Sequence, residues 1–269
     1  MKFIAFLFFI TLCLTQCKSQ PKTQKVGQTE IKLNNKMVFL IGGKFISSNN
    51  LDTAEVFIDP FLIDMYEVTV ADFAQFVQIT GYVTDTEKPG ASSLIRRGGR
   101  LIDMEGVCWK DDEQGHPRSK EDYDYPVVHV SYNDAIAFAE WVNKRLPTIY
   151  EWEYAAVTGK VNPEENFTID KFEWYSDNSG LRIHKGGEKR ANGNGLYDML
   201  GNVIERIELP KENLTHLIGN GDNLLKIRGA KGGSFYEDKV TVRRTVLGNK
   251  NSASGLCGFR CAKDTIIVK

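Results

Sequence analysis

The sequence has almost no net charge, and this limits the classes of partner it can bind. Lysine and arginine number 34, and aspartate and glutamate number 35, so the formal net charge is 34 − 35 = −1. A protein that binds nucleic acid or an anionic membrane surface by electrostatics needs a basic excess or a basic face. The short basic pairs Arg96-Arg97 and Arg243-Arg244 are isolated in the sequence. We therefore expect no nucleic-acid partner.

The sequence also lacks an apolar run long enough to cross a membrane as a helix. Its longest run, Phe3–Leu14, has twelve residues and is apolar apart from Thr11, whereas a spanning helix needs about 20. The run follows Lys2, and a positive residue before a short apolar run is typical of a signal peptide. We therefore predict a signal peptide over residues 1–16.

The end of this run resembles a bacterial lipobox, Leu14-Thr15-Gln16-Cys17. The resemblance implies that Cys17 is diacylated and becomes the mature amino terminus, so that the membrane is a partner through the lipid. A plain secretory signal with an incidental Cys17 is the alternative. No acidic residue follows directly in Lys18-Ser19-Gln20, which favours a periplasm-facing anchor. We expect an exported protein that is lipid-anchored to the bacterial cell envelope.

The segment after the lipobox is poor in apolar residues. Residues 17–36 are rich in Lys, Gln, Thr and Asn, a composition typical of a flexible tether. No repeat and no further shift in composition follow. We therefore predict a single folded domain over residues 37–269.

Cysteines are few in the rest of the chain, where only Cys108, Cys257 and Cys261 remain. Three cysteines allow at most one intramolecular disulfide. A Cys-x3-Cys spacing without a second pair is a poor zinc signal. A core thiol is one interpretation of Cys257 and Cys261, a disulfide is another, and a thiol made reactive by a nearby arginine is a third.

Three helix starts can be identified from capping patterns. Each begins with Ser or Thr, carries Asp or Glu three residues later, and continues with apolar residues at helical spacing. The starts are Thr69, Ser131 and Thr148.

Short apolar runs predict the strands, and polar, glycine-rich sequence dominates residues 163–227. The runs are Val38–Leu40, Val56–Ile63, Val127–Val130, Val240–Val242 and Thr265–Val268. So much irregular chain in one domain needs bound ions or a dense polar network to fix it.

Seven segments, in order, resemble the signatures of one family. They are Ile58–Thr69, Thr80–Thr84 with Glu87–Gly90, Tyr125–Ala135, Lys144–Ala156, Gly195–Glu205, Lys231–Phe235 and Gly258–Arg260. Together they resemble the formylglycine-generating enzymes, or sulfatase-modifying factors. The resemblance implies an α+β fold that is compact, rich in turns, low in regular secondary structure and distantly similar to C-type lectins.

The resemblance also implies a chemistry whose central residues this chain lacks. Active members oxidise a cysteine of a client sulfatase to formylglycine with oxygen and a copper ion held by two cysteines. Soft thiolates suit Cu(I). The two corresponding positions are Glu237 and Val242, so we expect no copper at this place and assign no catalytic residue.

The resemblance also implies a calcium site, and its ligand residues are present in this sequence. It implies the side chains of Asp198 and Glu205 and the carbonyls of Gly201 and Val203 as ligands, and hard oxygen donors suit Ca²⁺. The alternative is a turn with two solvated acids. Within the same segment, Ile204 and Arg206 stand where the family usually has tryptophans.

The resemblance finally implies a cleft in which active members hold a peptide. Its candidate residues here are Ser234, Glu237, Arg244 and Arg260, although the two arginines could be structural ion-pair partners. One hypothesis is a calcium-stabilised binding or scaffold module for a protein or peptide partner. The other is an enzyme that modifies a protein or small molecule through a different site.

Overall fold

The computed structural model describes residues 36–96, 100–159, 169–210, 226–238 and 240–265. The described residues belong to one compact unit, Leu33–Lys269. The predicted signal peptide, Cys17 and, apart from Lys36, the predicted tether lie outside the described residues.

Three α-helices are present: α1 (Val70–Thr80), α2 (Tyr132–Trp141) and α3 (Ile149–Val157). The predicted caps are confirmed, because Thr69, Ser131 and Thr148 each accept a hydrogen bond from a backbone N–H three residues later. In α2 and α3 the acidic residue three positions later completes a capping box. Helix α1 ends at Gly81, whose φ of 69° suits glycine.

Twelve short strands form four small sheets among the described residues. The strands are β1 (Met37–Leu40), β2 (Gly43–Ser48), β3 (Thr53–Ile58), β4 (Phe61–Asp64), β5 (Ala91–Arg96), β6 (Arg100–Glu105), β7 (Ile204–Ile207), β8 (Ile227–Lys231), β9 (Thr245–Asn249), β10 (Ala253–Ser254), β11 (Cys257–Gly258) and β12 (Ala262–Asp264). Their orders are β1-β4-β12, β2-β3, β10-β5-β6 and β11-β7-β8-β9. The pairs β10-β5 and β11-β7 are parallel, and the other pairs are antiparallel.

Several strand predictions are wrong. The run Val56–Ile63 is divided between β3 and β4, because Pro60 has no N–H to donate to a sheet. The run Val127–Val130 is buried but is not a strand, since His129 has a φ of 60°. The run Val240–Val242 is irregular. Only Thr265 of the run Thr265–Val268 is described, so that strand stays a prediction.

Two apolar clusters hold these elements together. One surrounds α3, where the fully buried Trp152 packs with residues of β4 and β7 and with Leu196. The other joins α1 and α2 through stacked Phe73 and Phe138, whose ring centroids are 5.9 Å apart, and Phe259 packs against both rings. The fold is therefore an α+β domain of low helical content, as predicted. Within the described residues, no helix is long and apolar enough to span a membrane.

Candidate functional site

A buried ion pair connects the Gly195–Glu205 segment to the Gly-Phe-Arg segment near the carboxyl end. Arg260 donates from Nε to Glu205 Oε2 at 2.7 Å and from Nη2 to Oε1 at 2.6 Å. Trp152 Nε1 also donates to Glu205 Oε2 at 2.7 Å. Arg260 and Glu205 are both fully buried. Glu205 therefore has a strong bidentate partner from the protein itself.

Asp198 and Glu67 also lie near this pair, and neither forms a salt bridge with a described residue. Asp198 Oδ2 accepts a hydrogen bond from Gly187 N at 2.8 Å, but Asp198 Oδ1 is buried and has no hydrogen-bond partner among the described residues. Glu67 Oε2 is likewise buried and has no hydrogen-bond partner among these residues. Burial raises the pKa of Asp198 to about 6. Burial, assisted by the charge of Asp198, raises the pKa of Glu67 well above its usual range. The interior is thus acidic, with unsatisfied oxygen atoms.

The loop that carries Asp198 is a tight turn. Asp198, Gly201 and Asn202 have φ values of 53°, 87° and 49°. A Cβ atom at Gly201 would lie 2.1 Å from the carbonyl oxygen of Trp174, so that only glycine fits. Asn202 Nδ2 donates to Glu67 Oε1 at 3.0 Å and ties the turn to the acidic interior.

The residues predicted to hold calcium fit the ion only in part. Asp198 offers a buried, unpartnered oxygen, which is what a hard cation needs. Glu205 is already neutralised by Arg260 and would have to share its carboxylate. Within the described chain, no three His, Cys, Asp or Glu side chains form a group that could hold a metal ion. Calcium therefore remains a prediction whose ligands would include the carbonyls of Gly201 and Val203.

A cleft of about 270 Å³ opens between the β7-β8-β9 face and the segment from Asn249 to Cys257. Part of its wall is apolar and includes Ile204, Ala230 and Leu256. Its charged lining residues are Arg206, Arg228, Glu237 and Arg244.

The structure separates the four residues predicted to line a cleft. Glu237 and Arg244 line it and form an ion pair with each other, from Arg244 Nη1 to Glu237 Oε2. Burial raises the pKa of Glu237, and Arg244 opposes that rise. Ser234 is fully buried, and Arg260 is engaged by Glu205 in the interior. Ser234 and Arg260 are therefore part of the protein interior, and neither lines the cleft.

The second position expected for a copper ligand lies away from the cleft lining. Val242 is half-buried and packs against the apolar cluster around α3. It follows Val240, whose buried side chain faces Gly233. Glu237 and Val242 therefore occupy different surroundings, one polar and one apolar.

The three cysteines of the described chain are free thiols. Burial raises the pKa of Cys257, with Arg206 opposing the rise, and it raises the pKa of Cys261 well above its usual range. The condition for a reactive thiol, a pKa depressed by an arginine, is therefore not met. Cys257 does line the cleft, whereas Cys261 is enclosed in the core.

Three important residues were not among the sequence candidates for a site. Arg206 and Arg228 line the cleft, and Glu67 lies in the acidic interior. A signal for Arg206 was present, because an arginine replaces an aromatic residue that the family pattern carries there. Glu67 and Arg228 carried no comparable signal, since their positions depend on contacts between distant segments.

These features define an α+β domain of turns around a buried arginine–carboxylate pair, with a small cleft beside it. A sequence model described as "Sulfatase-modifying factor enzyme 1-like domain" matches residues 22–265. The chain belongs to this family, that of the formylglycine-generating enzymes.

Individual relatives agree with this assignment. The chain is 31% identical to a formylglycine-generating enzyme of Thermomonospora curvata, over 78% of this chain and 84% of the relative. It is 32% identical to the inactive C-alpha-formylglycine-generating enzyme 2 of Bos taurus, over 84% and 87%. The solved structure of PvdO from Pseudomonas aeruginosa is similar in fold, with a TM-score of 0.62 and 21% identity over 85% of this chain and 94% of that one.

Proposed function

We propose that this chain is a non-oxidase member of the family that serves as a binding or scaffold module. The observation that carries this proposal is the chemistry at the two positions where the family resemblance puts copper-binding thiolates. They are Glu237 and Val242. A carboxylate prefers harder ions than Cu(I), and a valine side chain has no donor atom.

The surroundings of both residues support the proposal. Glu237 is held by Arg244, so its charge is already compensated. Val242 packs against apolar residues, so a metal ion could reach this position only if that packing opened. The sequence has no cysteine between Cys108 and Cys257 that could replace them.

Calcium stabilisation and membrane display belong to the same proposal. The unpartnered oxygen of Asp198 beside the buried Glu67 supports a cation in this interior. The Leu14-Thr15-Gln16-Cys17 sequence supports a lipid anchor that holds the domain at a bacterial envelope, facing the periplasm. The cleft then serves for contact with a protein, peptide or small-molecule partner.

The alternative function is an enzyme that acts on a protein or small molecule through another site. The observation in its favour is that Cys257 lines the cleft beside Arg206. Burial nevertheless raises the pKa of this thiol, so little thiolate is present at neutral pH. The binding module is therefore the better-supported proposal.

Copper affinity tests the proposal directly. In competition with a chromogenic Cu(I) chelator under reductant, the wild-type domain should take up no more copper than a Cys257→Ser variant. The double variant Glu237→Cys/Val242→Cys supplies the two missing thiolates and tests whether the loop can bring them together, since Val242 is packed against the cluster around α3. Tight Cu(I) binding by the wild-type protein, lost on Cys257→Ser, would favour the alternative function.

A further inference from the structure

The residues that line the cleft beside β7 carry more positive than negative charge. Three arginines and one glutamate line it, namely Arg206, Arg228, Arg244 and Glu237. Since Glu237 pairs with Arg244, Arg206 and Arg228 remain. Neither takes part in a salt bridge among the described residues. Within the described part of the chain, the cleft therefore presents two positive charges that no carboxylate pairs with.

Arg206 is fixed in place by backbone carbonyl groups. Its Nε and Nη2 donate to Val130 O at 3.1 and 2.7 Å, and Nη2 also donates to Ser252 O at 2.6 Å. The residue is only 7% exposed. A buried guanidinium normally has a carboxylate or another anion beside it, because neutral carbonyls compensate only part of its charge. This guanidinium is therefore pre-oriented and has no counter-ion among the residues that the structure describes.

Arg228 is held in a similar way on the neighbouring strand. Its guanidinium carbon lies 4.9 Å from the centre of the Tyr132 ring, and Nη1 donates to Ile227 O at 2.7 Å. Stacking on an aromatic ring restricts an arginine while leaving its other N–H groups available. A second positive group therefore lines the same small cleft as Arg206.

The charged cleft coincides with the places where this chain departs from its family pattern. Ile204 and Arg206 stand where tryptophans are usual, and Glu237 stands at a thiolate position. All three line the cleft. Ile204 and Arg206 thus change this part of the cleft from an aromatic surface to an aliphatic and cationic one, and Glu237 replaces a thiol with a carboxylate that pairs with Arg244.

We infer that this cleft binds a small organic anion, with its carboxylate, sulfonate or phosphate group against Arg206 and Arg228 and its apolar part on Ile204, Ala230 and Leu256. The inference deepens the proposed function by naming the class of ligand. A planar guanidinium matches the paired oxygen atoms of such groups. The apolar wall and the volume of about 270 Å³ limit the rest of the ligand to a small body.

Binding of matched aromatic probes tests the inference. We would titrate the protein with phenylacetate, benzylphosphonate and the uncharged phenylacetamide, using calorimetry or ligand-observed NMR. At least one of the two anions should bind with a Kd of about 1 mM or tighter. Phenylacetamide should bind at least about tenfold more weakly, since it lacks the charge that Arg206 needs. Raising the salt concentration should weaken anion binding.

Three variants locate the binding. Ala230→Leu fills the cleft and keeps every charge, so it should abolish binding. Arg206→Gln and Arg228→Gln should each weaken anion binding about tenfold. The matched control is Arg118→Gln, because Arg118 also lies over a tyrosine ring, Tyr125, but outside the cleft. It should leave binding unchanged, and Arg228→Gln provides a second test if Arg206→Gln fails to fold.

Three results would overturn the inference. The first is the absence of binding by both anions below about 10 mM. The second is equal binding of phenylacetamide, and the third is anion binding that survives Ala230→Leu. These measurements need neither copper nor oxygen, so they are independent of the oxidase question. Copper-dependent oxidation of a peptide cysteine would contradict the proposed function, whereas the binding measurements would still decide whether the cleft binds an anion.

Discussion

At the scale of single residues, Arg260 places one positive charge among several buried carboxylates. It donates to both oxygens of Glu205 and also to the carbonyls of Asp64, Met65 and Tyr197. Its charge opposes the raised pKa values of Glu67 and Asp198. The arginine thus connects the first signature segment with the Gly195–Glu205 turn.

Removal of this arginine should destabilise the fold strongly. Arg260→Met should lower the free energy of unfolding by about 3–5 kcal/mol, because it leaves Glu205 buried without a cation. Arg260→Lys should have an intermediate effect, since lysine keeps the charge but loses the bidentate geometry. Urea denaturation measures both. The control Arg244→Gln, at an arginine whose side chain is 51% exposed, should change stability little. An equally small effect of Arg260→Met would contradict this role.

His129 provides a prediction for pH dependence. Its ring is fully buried, with Nδ1 2.7 Å from Ser92 Oγ and Nε2 2.7 Å from the carbonyl oxygen of Asp112. A carbonyl can only accept, so Nε2 carries the proton and Nδ1 accepts from the serine. Burial lowers the pKa of His129 from 6.5 to about 4.

The unfolded chain therefore binds a proton at this residue between pH 6.5 and 4, whereas the folded chain does not. The stability contributed by the neutral ring is fully present above pH 6.5 and is lost as the pH falls towards 4. The loss is on the order of 3 kcal/mol. Urea denaturation between pH 4 and 7 should show a steeper dependence for the wild type than for His129→Gln. Parallel curves would mean that another group dominates.

At the scale of elements, the helices were predictable and the sheets were not. A capping box is local, and Thr69, Ser131 and Thr148 mark the three helix starts from sequence alone. Strand pairing depends on distant segments: β11 pairs with β7, and β10 pairs with β5. The β5-β6 hairpin was not predicted because its sequence is polar. The apolar run Val127–Val130 was wrongly predicted as a strand, because a buried apolar segment need not be a strand.

In the candidate site, too, residues in local motifs could be located from the sequence, whereas contacts between distant segments could not. Asp198 and Glu237 could be located from motifs, and the structure places Asp198 in a tight turn and Glu237 in the cleft lining. The partner of Glu205 could not be read from spacing, because Arg260 lies 55 residues away along the chain. Arg260 was consequently predicted in a cleft, although its charge is used in the core.

The Asp198–Glu205 turn provides a prediction about calcium. If the ion binds only the folded state, EDTA should lower the melting temperature, and saturating Ca²⁺ should stabilise by about 2.7 kcal/mol at 100 times its Kd. Asp198→Ala should lower the melting temperature and abolish the response to EDTA. Asp177→Ala removes an exposed acid outside the turn and should retain the response. A wild-type protein that is insensitive to EDTA would show that hydrogen bonds alone hold the turn.

At the scale of the whole molecule, one domain carries the family signatures, and the amino-terminal segment is predicted to anchor it. Cys17→Ser should move the protein from the membrane fraction to the soluble envelope fraction of the cell, because the lipid cannot be attached. Immunoblotting of fractions measures this. The matched control is Cys108→Ser, which changes a cysteine outside the lipobox and should stay with the membrane. Unchanged membrane retention of Cys17→Ser would remove the lipid anchor.

We propose that this domain keeps the family's fold without its copper oxidation. The test is incubation with a sulfatase-type Cys-x-Pro-x-Arg peptide in the presence of copper and oxygen, followed by mass spectrometry. Because Glu237 and Val242 replace the thiolate pair, the peptide should keep its thiol and gain no aldehyde, as in a copper-only control, while an active relative converts it. Formylglycine above that control would rule out the proposal and would mean that another ligand set has replaced the cysteine pair.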